Sequence, residues 1–174
     1  MQFLIDSTFS WEITLAVIAL TTLVIFLAGR LELQGAAPIK QYFNYSESEY
    51  KLLKIWLALA TVFGIVLPAL TFLIFFQVSE LRLFFSLYFF VVFVQLLSEY
   101  ILSRLFFQTI VVTVGSLYTA LRIWQLWSVQ KLMVINTELS MGSLRFVIAV
   151  LWVMLLFWLS NIIVNFVIYR KKLV

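Results

Sequence analysis

The chain has 174 residues, 64% hydrophobic and 11% charged, with a mean hydropathy of +1.10 and a formal charge of +4. Soluble domains carry roughly 45 to 50% apolar and about 25% charged residues, so this composition excludes a water-soluble monomer and points to an integral membrane protein. The lack of any Cys or His removes disulfides, thiolate nucleophiles, imidazole bases and imidazole metal ligands together.

The excess of Lys and Arg reads as a topology signal and not as a nucleic-acid surface, because basic residues collect in the cytoplasmic loops of polytopic proteins. Residues 1–10 contain no Lys or Arg, and no small-residue cleavage site follows the first apolar run. That run is therefore expected to be retained as a span rather than removed as a secretory signal.

A hydrocarbon core of about 30 Å needs about 20 apolar residues in helical form. The first segment to satisfy this is Trp11 to Ala28, stopped by Gly29-Arg30. The connection 30–54 follows, with an irregular piece at Gly35-Ala36-Ala37-Pro38. Ser46-Glu47-Ser48-Glu49 then reads as a capping box that starts a helix in water, with Lys51 and Lys54 placed to snorkel. The second span runs from about Ile55 to Phe76. Pro68 within it removes the donor for the Gly64 carbonyl, so a kink is expected there.

A short polar turn around Gln77, Ser79, Glu80 and Arg82 predicts an antiparallel hairpin with a third span, about Leu83 to Leu97. The last span, about Phe146 to Ile168, follows Ser140-Met141-Gly142-Ser143 and ends in Arg170-Lys171-Lys172. Between these lies a segment at about 105–132 that carries Gln108, Thr109, Thr113, Ser116 and Thr119 and continues into Arg122, Trp124, Trp127 and Lys131. Spanning, re-entry and an in-plane position all remain open for it. With the N-terminus outside, four spans and five spans alike put eight of the twelve basic residues inside. The rule thus fixes the expected orientation but not the span count.

The fold expected is all-α: a polytopic helical membrane protein, one integral membrane domain over 1–174, with four transmembrane helices and this additional segment. No repeat or second domain is visible.

Catalysis by hydrolysis or acyl transfer needs clustered ligands or a nucleophile held by a base. The eight acids lie near predicted helix ends or in loops, no pair falls within a span at helical spacing, and no phosphate-binding glycine motif occurs. The chain is therefore expected not to be an enzyme, and no metal or cofactor is predicted.

Two polar constellations remain. Glu99 and Arg104 lie where span three meets the next segment, with Thr109, Thr113 and Ser116 on one helical face beyond them. These form a candidate intramembrane polar site, against the plainer reading that the charges mark a bend at headgroup level. In the last span Trp158, Asn161 and Asn165 make a polar stripe expected to face another helix or a partner, since Asn in hydrocarbon needs a hydrogen-bond partner. Glue between helices is the simpler role; a polar lining, or an oxygen ligand to a pigment magnesium, is the sharper one. Aromatics make up 18% of the chain, a surface for lipid contact on which a pigment or lipid could dock, although no motif encodes one.

Gln95-Leu96-Leu97-Ser98-Glu99, Leu117-Tyr118 with Arg122-Ile123, and Phe157-Trp158 with Asn161 resemble, in order and spacing, a family of plant and cyanobacterial multi-span membrane proteins of unknown function. The resemblance covers about residues 90 to 168. Members of that family carry prolines in the segment matching Thr109 to Gly115, which this chain lacks. The resemblance implies an oxygenic phototroph and a thylakoid or cyanobacterial plasma membrane, and supplies no reaction. Together these features predict a non-catalytic accessory or assembly subunit packed against other membrane proteins of a larger, photosynthetic complex. A small oligomeric transporter or channel is the alternative.

Overall fold

The computed structural model describes residues 11–34, 46–106, 110–133 and 139–173; within these, the side chains at 32, 33, 132 and beyond 164 are not described. Every described element is helical: α1 (Trp11–Leu33), α2 (Glu47–Thr61), a π-helical turn (Val62–Val66), α3 (Leu67–Ile74), α4 (Ser79–Leu105), α5 (Ile110–Met133) and α6 (Met141–Leu173). Four stretches are long and apolar enough to cross a membrane: α1, the continuous Glu47–Ile74 rod, α4 and α6. The protein is a polytopic helical membrane protein.

Local chemistry sets the helix boundaries. The capping box at Ser46 closes in both directions: Ser46 Oγ accepts from the Glu49 amide at 3.3 Å, and the Ser46 amide donates to Glu49 Oε2 at 2.9 Å. Lys54 lies over the Tyr50 ring near the same end. The α3–α4 turn is tight, with the Val78 amide donating to the Phe75 carbonyl at 3.0 Å, and Arg82 covers Phe76. At the start of α6, Ser140 Oγ accepts from the Ser143 amide. The helix therefore begins within the Ser-Met-Gly-Ser stretch, a few residues before the apolar run at Phe146.

Pro68 explains the π-helical turn. Without an N–H at Pro68, the Gly64 carbonyl loses its i+4 donor. The helix widens before the proline, so that the Leu67 amide donates to the Val62 carbonyl five residues back.

Paired contacts give the directions of the helices. Trp11 packs on Phe90 and Phe26 on Phe106, so α1 runs parallel to α4. Trp56 and Phe63 stack on Phe157, and Phe75 packs near Phe146, so the α2–α3 rod is antiparallel to α6. Ser98 meets Tyr118 while Arg122 reaches Tyr88, which sets α5 antiparallel to α4. Thr119 meets Asn161 while Trp127 meets Trp152, which sets α5 antiparallel to α6.

The helix whose membrane position the sequence leaves open is thus the central one. At 24 residues α5 is about 36 Å long and lies along both α4 and α6. Its buried positions extend from Ile110 to Met133, although it is not among the four strongly apolar stretches. By contrast, α2 has no buried residue, and the rest of its rod buries only Gly64, Pro68 and Thr71.

Two apolar clusters stabilise the bundle. One joins α4, α5 and α6 through Leu81, Phe84, Leu126, Val129, Val147, Leu151 and Met154. The other joins α1, α4 and α5 through Ile18, Ile25, Val91, Leu102, Ile110, Val114 and Tyr118. Along α4 and α5 the residues between them are polar: Gln95 and Ser98 on the one, Arg122 and Gln125 on the other, all buried.

Candidate functional site

The polar layer is built outward from α5. Tyr118, Arg122, Gln125 and Val129 follow helical spacing and share one face, so the helix that packs inward through Tyr118 and Val129 carries Arg122 and Gln125 inward too. Arg122 is 3% exposed and Gln125 is 1% exposed, so both are cut off from lipid and water.

Arg122 is held by rings. Its guanidinium carbon lies 4.2 Å from the centre of the Trp158 ring and 5.9 Å from that of Tyr88. Desolvated cation–π contacts of this kind contribute about 2 kcal/mol, much less than a buried guanidinium loses on leaving water. Its Nε has no hydrogen-bond partner. The nearby negative charge is Glu99, which acts on Arg122 through space while its carboxylate accepts a hydrogen bond from Gln95 Nε2.

The rings are fixed in turn by a relay. Trp158 Nε1 donates to the Tyr88 hydroxyl at 3.1 Å, and that hydroxyl donates to the Gly64 carbonyl at 3.0 Å. Tyr88 therefore replaces the donor that Pro68 removed. Gly64 is also required for space, because a Cβ there would lie 2.7 Å from Trp158 Cζ2. The relay thus links the π-helical turn of the outer rod to the cation on α5.

A second set of bonds lies one turn further along α6. Asn161 Nδ2 donates to Thr119 Oγ1 at 3.0 Å, and Asn161 Oδ1 accepts from Trp56 Nε1 at 2.6 Å, so one amide ties α2, α5 and α6 together. On the other side of α5 the Tyr118 hydroxyl lies 3.2 Å from Thr22 Oγ1 and 3.5 Å from Ser98 Oγ, tying in α1 and α4.

The residues singled out in the sequence are dispersed by the fold. Trp158 and Asn161 face inward and bond helices of this chain; the Asn165 side chain lies outside the described residues. Glu99 belongs to the polar layer, but Arg104 is exposed and covers the Tyr100 ring at 4.1 Å. Five residues turn a helix by about 140° past one revolution, so the Glu99 and Arg104 side chains leave α4 on different faces. Thr113 and Ser116 are half-buried and separate from the Arg122 layer, and Thr109 lies outside the described residues.

Arg122 and Gln125 were not among the sequence candidates. Arg122 bounds an apolar run and is followed by Trp124, Trp127 and Lys131, which imitates a membrane interface. Trp127 and Lys131 are indeed exposed, whereas Arg122 points the other way. The signal that could have found the site is the three- and four-residue spacing of Tyr118, Arg122 and Gln125.

Among the described residues five buried polar atoms have no partner: Gln95 Oε1, Arg122 Nε, both amide atoms of Gln125, and Gln130 Nε2. Each is a hydrogen bond that the folded chain does not make for itself. Among the described residues there is no cluster of His, Cys, Asp or Glu able to hold a metal ion. No protein-family model, curated protein or solved structure matches the chain.

Proposed function

We propose that the protein is a small membrane carrier that binds a polar solute in the layer formed by α4, α5 and α6. It acts without catalysis. The observation that carries this reading is the placement of Arg122: a cation inside the bundle, held by ring faces, with Nε unsatisfied and Gln125 unsatisfied one turn away. Ionisable residues that face the interior of a membrane bundle mark solute and ion pathways. A purely structural core would reach comparable packing with apolar residues of the same volume and would avoid the desolvation cost.

Flux in proteoliposomes tests the reading. Purified protein reconstituted into vesicles is expected to move a small charged or zwitterionic solute, with Arg122→Gln lowering the rate at least tenfold and the exposed Lys131→Gln leaving it unchanged. Absence of flux for cations, anions and neutral solutes alike would overturn it.

A second reading has its own support. No residue of α2 is fully buried and, apart from the side that carries Trp56 and Ala60, its surface is exposed to lipid or a neighbouring protein, as an accessory subunit of a larger membrane complex would require. Sizing after extraction in mild detergent tests it: migration only at the mass of the lone chain would remove it. The resemblance of the C-terminal half extends this reading to a thylakoid or cyanobacterial plasma membrane and to bound pigment. An absorption spectrum and mass spectrometry of the same extract test that extension.

A further inference from the structure

We infer that Arg122 and Gln125 form the receptor for a carboxylate, so that the solute carried in the polar layer is an organic acid. This rests on the carrier reading and narrows it to one chemical class.

The unpaired atoms specify the ligand. A guanidinium grips a carboxylate through two parallel N–H donors, and one such edge includes Nε. In Arg122 that atom is buried and unpartnered, while the Trp158 ring lies 4.2 Å and the Tyr88 ring 5.9 Å from the guanidinium carbon. Gln125 follows at i+3 on the same face, and long helical side chains lean back over the preceding turn. Its Nε2 is therefore a second donor beside the guanidinium, also buried and unpartnered. Two donors from Arg122 and one from Gln125 suit two carboxylate oxygens, which accept up to about four hydrogen bonds between them.

The remaining atoms favour a polar substituent near the acid group. Gln125 Oε1 is an unpartnered acceptor on the same side chain as the Nε2 donor, and Glu99 is a through-space counter-charge for Arg122. A hydroxyl or ammonium on the carbon next to the carboxylate would satisfy such an acceptor, and a bare hydrocarbon would not. Glu99 also competes with the ligand for Arg122, so it sets affinity without being part of the receptor.

Thermal stabilisation of the purified full-length protein in detergent tests the inference, with lactate, alanine, decanoate, sodium chloride and glycerol as probes. Lactate and alanine are expected to raise the melting temperature in a saturable way. Apparent affinity should fall at least tenfold in Arg122→Lys, which keeps the charge but loses the planar fork. It should also fall at least tenfold in Gln125→Leu, which removes only unpartnered atoms and so should fold at least as stably as the parent. Glu99→Gln should strengthen binding severalfold. Decanoate separates an acid arriving from the lipid from one arriving from water: stabilisation by decanoate alone, lost in Arg122→Lys, keeps the carboxylate receptor and makes the ligand an amphiphile. Stabilisation by sodium chloride or glycerol with none by any acid would overturn the receptor and leave the carrier reading standing. Stabilisation by no probe would remove both.

Discussion

The hydroxyl of Tyr88 on α4 donates to the carbonyl of Gly64 on the neighbouring rod, the acceptor whose i+4 donor is missing at Pro68. A side chain of one helix thus repairs the backbone of another. Tyr88→Phe is expected to cost about 1 to 3 kcal/mol, the penalty of a buried unsatisfied acceptor. Pro68→Ala restores an N–H to the same carbonyl and should recover much of that loss in the double variant. A double-mutant cycle by thermal unfolding in detergent measures the coupling, and additive effects would show that the phenol does not serve this carbonyl.

Gly64→Ala should be destabilising by about 1 to 3 kcal/mol, since the new methyl meets the Trp158 ring, which is held from its other sides by Phe157, Tyr88 and Arg122. Unfolding midpoints together with tryptophan emission check this, and an unchanged midpoint would mean that the ring is free to move. Gly142, with nothing near its Cβ direction, is the matched control and should accept Ala without loss.

Asn161→Leu removes the acceptor of Trp56 and the donor to Thr119 together. Intramembrane hydrogen bonds contribute about 0.6 to 2 kcal/mol each, so a loss of about 1 to 3 kcal/mol is expected. Trp56→Phe in the same background should add little, because its bond is already gone. Full additivity would contradict the three-helix tie.

Because α5 runs antiparallel along α4, it should cross the membrane as a fifth span. The chain has no Cys, so single cysteines at exposed positions report sidedness directly. Arg104→Cys at the end of α4 and Met141→Cys at the start of α6 are expected to react with a membrane-impermeant reagent from opposite faces. Labelling of both from one face would place α5 in the membrane plane.

Most of the scaffold was legible in the sequence because its causes are local. The Ser46–Glu49 box, the apolar lengths of α1, α4 and α6, the tight turn near Ser79 and the disturbance at Pro68 each depend on a handful of adjacent residues. The polar layer was not legible, because its determinants lie far apart along the chain. Arg122 becomes a core residue only when Trp158 and Tyr88 meet it, 36 residues later and 34 earlier. Hydropathy counts such a charge as a boundary whichever way it points. Glu99 and Arg104 stand at a spacing that does not share a helix face, so only Glu99 turns inward, whereas Asn161 was recognisable because an amide in hydrocarbon must face something.

The enclosure of α5 also bears on how the protein is made. An arginine near the middle of an inserting helix costs about 2.5 to 3.5 kcal/mol at the translocon, and α5 carries Gln125 and Gln130 besides. Its rings and apolar neighbours come partly from α6, which leaves the ribosome later. Nascent α5 therefore has no finished berth when it first reaches the bilayer. Its surroundings are complete only when Trp158 and the apolar side chains of α6 stand beside it, so the last helix to be translated supplies the ring that covers the Arg122 charge.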